Sequence, residues 1–138
     1  MTKRILIAYD GSESADKAFE FALDFTERYQ GELYVLSVIR LPEPHDDIET
    51  EAFIEQANKQ YHGQFAHLQK RAHAHSFPIH FKSVIGHSTE QILRQAEELK
   101  IDHIIVGSQG KGFFQRILLG SVSKQVMIYA PCSVTVVR

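Results

Sequence analysis

Short apolar runs alternate with amphipathic helical patterns along the 138 residues, and this alternation restricts the possible folds more than any other feature. Ile5–Ala8, Leu33–Ile39 and Ile104–Val106 have strand length and a mainly apolar character, which is typical of strands covered on both faces. Strands that alternate with helices form a parallel sheet, because right-handed crossovers place the helices on both of its faces. The sequence therefore predicts one doubly wound, Rossmann-like α/β domain over residues 1–138.

The segments around these runs predict four helices and two further strands. Gly31 marks the end of the first helical pattern, and apolar residues at spacings of three and four predict a long helix over 54–72. Apolar and polar residues alternate over Ile79–Ile85, as in a half-exposed edge strand. Ser88–Gln91 resembles a capping box that begins a third helix, and Ser133–Val137 follows the last helix as a fifth strand.

Composition and charge argue against several classes of partner. The net charge of −2 gives no electrostatic reason to expect nucleic acid or a membrane surface as a partner. No segment approaches the roughly 20 apolar residues of a membrane helix, and the first strand begins without a signal-peptide pattern. The single cysteine, Cys132, forms no internal disulfide, which suits a reducing compartment. We therefore expect a cytoplasmic protein.

Neither a metal site nor a known catalytic motif stands out. The eight histidines lack ligand spacing; His73 and His75, for example, would lie on different sides of a helix. The sequence contains neither the phosphate-loop pattern G-x-x-x-x-G-K-[ST] nor the nucleophile elbow G-x-S-x-G. We therefore expect no metal ligands and no catalytic residues.

Three glycines and a serine connect the fourth strand to the last helix. Gly107 and Gly110 are followed, after nine residues, by Gly120 and Ser121. Glycine lets the backbone approach a ligand closely, and a helix N-terminus offers unpaired N–H donors and the positive end of the helix dipole. The spacing is typical of a phosphate cradle, but an ordinary glycine-rich connection has the same composition, so both interpretations stay open.

Two separated motifs resemble one protein family. The segment GSQGKGFFQRILLGSVSKQVMIYAPCSVTVVR resembles the signature G-2x-G-9x-G-[S/T] of the universal stress protein family. The opening KRILIAYDGSESADKAFEFA is similar to that family's first strand, Asp-Gly-Ser turn and first helix. The middle of the chain, residues 41–78, is generic. The resemblance implies the strand order 3-2-1-4-5, with the order reversing between strands one and four.

The resemblance also implies a binding site for ATP at this reversal, where open parallel sheets bind ligands. The family's nucleotide-contacting positions correspond to Ala8, Asp10, Val38, Gly107, Gly110, Gly120, Ser121, Val122 and Ser123. Lys111 and Arg116 carry charges that could neutralise phosphates. Many relatives have a basic residue before the second glycine, whereas this chain has Gln109, which removes one charge from phosphate recognition.

Each of these residues has a chemical role and a structural alternative. Asp10 can accept hydrogen bonds from ribose hydroxyls, and backbone groups near Val38 could read the adenine edge. The N–H groups around Gly107, Gly110 and Ser121–Ser123 suit the phosphates, with the serine hydroxyls as further donors. In the alternative interpretation, the aspartate caps the turn before the first helix, the serines cap the last helix, and the two cations are solvated.

The function that the resemblance implies is regulatory. Binding of ATP, with Mg²⁺ held through the phosphates, would change the shape or the partners of a stress-response protein. One alternative is a slow ATPase or a phosphotransferase that modifies Ser121 or Ser123, although no residue stands out as a general base. Another is a nucleotide-free dimeric scaffold, against which the intact glycines count.

The last strand predicts how two chains would associate. In the implied order Ser133–Val137 lies at an edge of the sheet, and neither proline nor lysine interrupts it. We expect a homodimer in which this strand pairs with its copy, and the resemblance points to the same interface. The alternative is a monomer whose edge is covered by its own helix.

Overall fold

The computed structural model describes residues 2–42, 47–109 and 119–138, in which five strands alternate with four helices. The strands are β1 (Arg4–Ala8), β2 (Glu32–Ile39), β3 (Ile79–Ile85), β4 (His103–Gly107) and β5 (Ser133–Val137). The helices are α1 (Glu13–Arg28), α2 (Asp47–Arg71), α3 (Ser88–Glu98) and α4 (Ser121–Tyr129). Within the described ranges no helix has the length and apolar character needed to cross a bilayer.

The five strands form one parallel sheet in the order β3-β2-β1-β4-β5. The central strand β1 pairs with both neighbours; Ile7, for example, lies opposite Val35 of β2 and Ile105 of β4. The predicted fold class and strand order are therefore confirmed. The order reverses between β1 and β4, and β3 and β5 are the edge strands.

Alternate residues of the buried strands pack into two apolar layers, one on each face of the sheet. Ile5 and Ile7 contribute to the layer beneath α1 and α2, which contains Phe19. Leu6 contributes to the opposite layer, where Ile92 belongs to α3 and other residues to α4. Because β1 is covered on both faces, its run of consecutive apolar residues is explained.

The ends of α1 and α3 share one geometry, and it differs from the predicted one. The helix α1 ends in a Schellman motif: the N–H of Gly31 donates to the carbonyl of Thr26 at 3.0 Å, and Gln30 has φ 49°. Lys100 occupies the same left-handed position after α3, with φ 53°. Gly31 was therefore predicted at the correct helix end for the wrong reason. A Cβ at this position would lie 2.6 Å from the carbonyl oxygen of Lys3, so glycine is required by close packing.

Alanine substitutions at Gly31 and Gly63 should change stability in opposite directions. Gly31→Ala should lower the free energy of unfolding by about 1–3 kcal/mol, because the added methyl group meets backbone atoms that cannot move aside freely. Gly63 lies within α2 with no atom within 4 Å of an added Cβ, so Gly63→Ala should raise it by about 1 kcal/mol. Urea unfolding measures both values, and a neutral Gly31→Ala would contradict the packing explanation.

The start of α3 also differs from the predicted capping box. His87 is the N-cap residue and makes no side-chain hydrogen bond to the helix, and Ser88 is the first helical residue. By contrast, Ser12 caps α1, since its hydroxyl accepts a hydrogen bond from the N–H of Ala15 at 3.1 Å. The side chain of His87 therefore accepts no hydrogen bond from the free N–H groups in the first turn of α3.

The outer edge of β5 is defined by the hydrogen bonds on its inner side. The N–H of Ser108 donates to the carbonyl of Val137 at 2.8 Å, so the backbone groups of Val137 face β4. Backbone groups alternate in direction along a strand, so those of Thr135 face β4 as well. The N–H and C=O groups of Val134 and Val136 therefore face outward, at the edge of the sheet.

Candidate functional site

A cavity of about 320 Å³ lies at the carboxyl ends of the strands, where the strand order reverses between β1 and β4. All eight predicted site residues within the described ranges line it. They are Ala8, Asp10, Val38, Gly107, Gly120, Ser121, Val122 and Ser123. The other three, Gly110, Lys111 and Arg116, lie outside the described residues. The structure thus brings together residues from four separate segments of the chain.

The cavity also has eight lining residues that were not among the predicted site residues. They are Tyr9, Ser12, Ala15, Leu36, Ser88, Ile92, Val106 and Gln109. Most of them belong to the predicted strands and helices. Their side chains lie on the faces that pack in the core, and at this end of the sheet those faces border the cavity. Ser88 and Ile92 of α3 also line the cavity. The one sequence feature that indicated this was the predicted start of α3 at the carboxyl end of the sheet.

Asp10 combines its structural role with a free oxygen. Its Oδ1 accepts a hydrogen bond from the N–H of Ser12 at 2.9 Å, which forms the turn before α1. Gly11 in this turn has φ 82°, a left-handed conformation that favours glycine. Among the described residues no donor reaches Oδ2, so this oxygen can still accept a hydrogen bond from a ligand.

The N-terminus of α4 presents backbone donors to the cavity. Gly120 is its N-cap and offers no side-chain cap, and the first helical hydrogen bond runs from the N–H of Lys124 to the carbonyl of Gly120 at 3.0 Å. The N–H groups of Ser121, Val122 and Ser123 therefore have no acceptor in the described part of the chain. Unpaired N–H groups and the helix dipole together favour an anion at this place.

The hydroxyl of Ser123 is engaged elsewhere. It donates to the carbonyl of Gly107 at 2.6 Å, and Ser123 is buried. The predicted use of this hydroxyl as an additional phosphate donor therefore differs from the structure, in which it ties α4 to the end of β4. This hydrogen bond does not involve the backbone N–H of Ser123 or the N–H and hydroxyl of Ser121, which can still act as the predicted donors.

Gly107 is required by packing against α1. A Cβ at this position would lie 2.4 Å from Oγ of Ser14 and 2.9 Å from its backbone. The same Ser14 hydroxyl accepts a hydrogen bond from the N–H of Gln109 at 3.2 Å. The first glycine of the motif thus lets the first turn of α1 approach the end of β4, in addition to lining the cavity.

Backbone groups of Val38 point toward the space beyond the end of β1. The carbonyl of Leu36 accepts a hydrogen bond from the N–H of Tyr9 at 2.8 Å, so it faces β1. Val38 lies two residues further along β2 and faces the same side, past the last β1–β2 pair, which is Ala8 with Leu36. This direction agrees with the predicted contact between the Val38 backbone and a base.

Tyr61 of α2 approaches the same place and was not found from the sequence. Its hydroxyl lies 3.5 Å from the carbonyl oxygen of Val38. Burial raises the pKa of Tyr61, and the nearby Asp10 carboxylate raises it further. The neutral hydroxyl of Tyr61 therefore lies near both residues that were assigned to the nucleoside.

The described lining of the cavity carries little charge. Asp10 is the one acidic or basic residue among these lining residues. The hydroxyl of Tyr9 donates to Asp16 at 2.7 Å, and burial, followed by this hydrogen bond, raises the pKa of Tyr9 well above its usual value. Among the described residues no three His, Cys, Asp or Glu side chains are placed to hold a metal ion.

The fold and the cavity define a Rossmann-like α/β protein with a ligand crevice at the topological switch point of its sheet. A family model described as the universal stress protein family matches residues 1–138. The chain belongs to the universal stress protein family.

Relatives match over nearly the whole chain. A universal stress protein of Thermus aquaticus is 33% identical over 140 residues, covering 100% of both chains. A universal stress protein of Methanocaldococcus jannaschii is 31% identical over 140 residues, covering 99% of this chain and 82% of the relative. The solved structure of universal stress protein UspA from Lactobacillus plantarum has a TM-score of 0.86 and 26% identity, covering 99% of this chain and 97% of its own.

Two solved structures of the same fold are described with a nucleotide. One is a universal stress protein family protein from Arabidopsis thaliana with AMP bound, with TM-score 0.68, 20% identity and coverage of 98% and 90%. The other is a universal stress protein in complex with cAMP, with TM-score 0.76, 21% identity and coverage of 99% and 97%. At these identities the likeness shows a shared fold.

Proposed function

We propose that this protein is an ATP-binding regulatory protein of the stress response that binds the nucleotide in the cavity between the ends of β1 and β4. One observation carries the proposal: eight residues that correspond to the family's nucleotide-contacting positions line a single cavity. In this proposal residues 1–138 act as one domain in the cytoplasm, and occupancy of the cavity changes the shape or the partners of the protein.

The chemistry of the cavity changes along its length in the order that a nucleotide requires. Leu36, Val38 and Ile92, on β2 and α3, offer an apolar surface for the base. Asp10, after β1, offers an acceptor for ribose hydroxyls. The α4 N-terminus, beside β4, offers N–H donors for phosphates. Because the order of the strands is β2-β1-β4, base, ribose and phosphates would follow one line across the crevice.

The AMP and cAMP described for two relatives of the same fold support an adenine nucleotide as the ligand. The preference for ATP rests on the capacity for several phosphates: the α4 N–H groups would hold one part, and Lys111 and Arg116 would neutralise another. Mg²⁺ would be held through the phosphates and would keep several waters, with few ligands from the protein.

The proposal also includes a homodimer formed through β5. Its outer edge carries the backbone groups of Val134 and Val136, a template for another strand. The preceding helix adds apolar surface near this edge, with Ile128 70% and Tyr129 68% exposed. Antiparallel or parallel addition would satisfy the edge, but a two-fold axis requires the antiparallel pairing of identical strands.

ATP binding through the glycine motif is tested by the same substitution at two glycines. Gly110→Val should weaken ATP binding about tenfold or more, because a branched side chain would occupy space meant for phosphate. Gly63→Val is the matched control: Gly63 is exposed on α2, and an added Cβ there meets nothing within 4 Å. Calorimetry with ATP measures both affinities.

The wild-type protein should also bind ATP more tightly than GTP, since Val38 offers an acceptor to the adenine amino group. Equal ATP affinity for wild type and Gly110→Val would contradict the phosphate cradle. Absence of ATP binding by the wild type would overturn the proposed function as a whole.

A further inference from the structure

The base end of the cavity has a polar side chain that is not engaged within the described part of the protein. Ser88, the first residue of α3, lines the cavity together with Val38 and Ile92, and is half-buried. We propose that the Ser88 hydroxyl binds the edge of the adenine base and is a specificity-determining residue of the site. This inference rests on the proposed function and adds a contact outside both sequence motifs.

Other polar groups around the cavity are already engaged. The hydroxyl of Ser12 accepts from the N–H of Ala15, and that of Ser123 donates to Gly107. The hydroxyl of Tyr9 donates to Asp16, on the side of α1. The hydroxyls of Ser123 and Tyr9 therefore have no proton left for a base. The hydroxyl of Ser12 keeps its proton, but Ser12 lies in the turn between β1 and α1, beside the expected ribose.

The remaining polar side chains of the described lining lie at other positions along the crevice. Asp10 follows β1, while Gln109 and Ser121 lie at the β4–α4 end, beside the expected phosphates. Ser88 follows β3, which pairs with β2 up to Ile39 and Ile85. Among the polar residues of the described lining, Ser88 therefore comes from the connection beside the end of β2, where the base would lie; Tyr61 also approaches Val38 but is not one of these lining residues.

The position of Ser88 is fixed by hydrogen bonds on both sides. The N–H of Gly86 donates to the carbonyl of Ile39 at 3.0 Å, which holds the β3–α3 connection against the end of β2. The hydroxyl of Thr89 donates to Oε1 of Gln125 at 2.8 Å, which holds the first turn of α3 against α4. These two hydrogen bonds hold the start of α3, and with it Ser88, in a fixed position beside the cavity.

The chemistry of a purine edge suits this arrangement. A base buried between apolar side chains needs polar partners for its ring nitrogens and amino group, because unpaired polar groups are costly to bury. The Val38 carbonyl can accept from the amino group, and the Ser88 hydroxyl can donate to a ring nitrogen. Together they would recognise adenine by one acceptor and one donor.

Two ligands that differ only in the base test the proposal. AMP and ribose 5-phosphate should be titrated against wild type, Ser88→Ala and Ser76→Ala. Ser88→Ala should weaken AMP binding about three- to tenfold and leave ribose 5-phosphate unchanged, as expected for one neutral hydrogen bond to the base. Ser76→Ala removes an exposed hydroxyl that precedes β3, at the opposite end of the sheet, and should leave the ratio of the two affinities unchanged.

A second variant guards against a general effect on α3. Ser88→Thr keeps a hydroxyl and should keep the wild-type ratio of AMP to ribose 5-phosphate affinity. Equal AMP affinity for wild type and Ser88→Ala would overturn the role of Ser88 while leaving the proposed function intact. Failure of the wild type to bind AMP and ATP would overturn both, and an equal loss of both ligands in Ser88→Ala would place Ser88 outside base recognition.

Discussion

Replacing Asp10 with asparagine should weaken ATP binding about ten- to a hundredfold without unfolding the protein. A hydrogen bond to a charged acceptor contributes about 1.5–3 kcal/mol, and each 1.4 kcal/mol changes the affinity tenfold. Asparagine keeps one side-chain oxygen, which can still accept the hydrogen bond from Ser12 that Oδ1 accepts now. Its amide nitrogen replaces the second oxygen and cannot accept from a ribose hydroxyl. Calorimetry with ATP measures the affinity, and thermal unfolding shows that the turn is retained.

Tripolyphosphate separates the two interpretations of Asp10. It has no ribose, so Asp10→Asn should bind it as well as the wild type does, or better, since a negative charge has been removed. Asp10→Ala serves as the contrasting variant, because it loses the Ser12 hydrogen bond as well and should be less stable. A parallel loss of ATP and tripolyphosphate affinity in Asp10→Asn would assign the residue to the turn alone.

Proline at Val136 should convert the proposed dimer into monomers. The wild type should have twice the 15.7 kDa mass of one chain in light scattering, and Val136→Pro should have the mass of one chain. Proline removes an N–H that faces the outer edge of β5, and it is tolerated in an edge strand at such a position. The β4–β5 ladder itself loses no donor.

Thr135→Pro provides the control for this experiment. Its N–H faces β4, so proline there disrupts the hydrogen bonds within one chain and should lower stability whatever the oligomeric state. A dimer that persists in Val136→Pro, in Val134→Pro and after truncation before Val134 would have to use a different surface. A monomeric wild type would remove the proposed interface altogether.

The strand order and half of the described cavity lining could be predicted, because most of that information lies in two local motifs. The Asp10 turn ends β1, and the glycine segment follows β4; strands adjacent in a parallel sheet bring their carboxyl ends together. Tyr61 and Ser88 reach the same crevice from α2 and α3 through tertiary packing. Tyr61 lies in a segment without a motif, and the motif around Ser88 indicates only a helix start. The sequence therefore predicted their helices but not the positions of their hydroxyls.

The helix ends show a second limit of sequence patterns. Glycine is the usual left-handed residue after a helix, yet Gln30 and Lys100 take that conformation here. Gly31 stands one position later because β1 leaves no room for a side chain. Similarly, Ser88 has the residue type of an N-cap, but the chain enters α3 one residue earlier, at His87. Such one-residue differences depend on the contacts of neighbouring elements.

The contact between Gly107 and Ser14 has a consequence for the family signature as a diagnostic. A descendant of this protein that lost every use for nucleotides would still be under selection to keep Gly107, since any side chain there would push α1 away from the sheet. The first glycine of the signature is therefore evidence of a shared fold and not of ligand binding. Inheritance of ligand binding would be indicated instead by a residue whose structural role a different residue could fill. Asp10 is such a residue: asparagine would keep the hydrogen bond from Ser12, but only a carboxylate keeps the second oxygen, which no donor reaches within the described part of the chain.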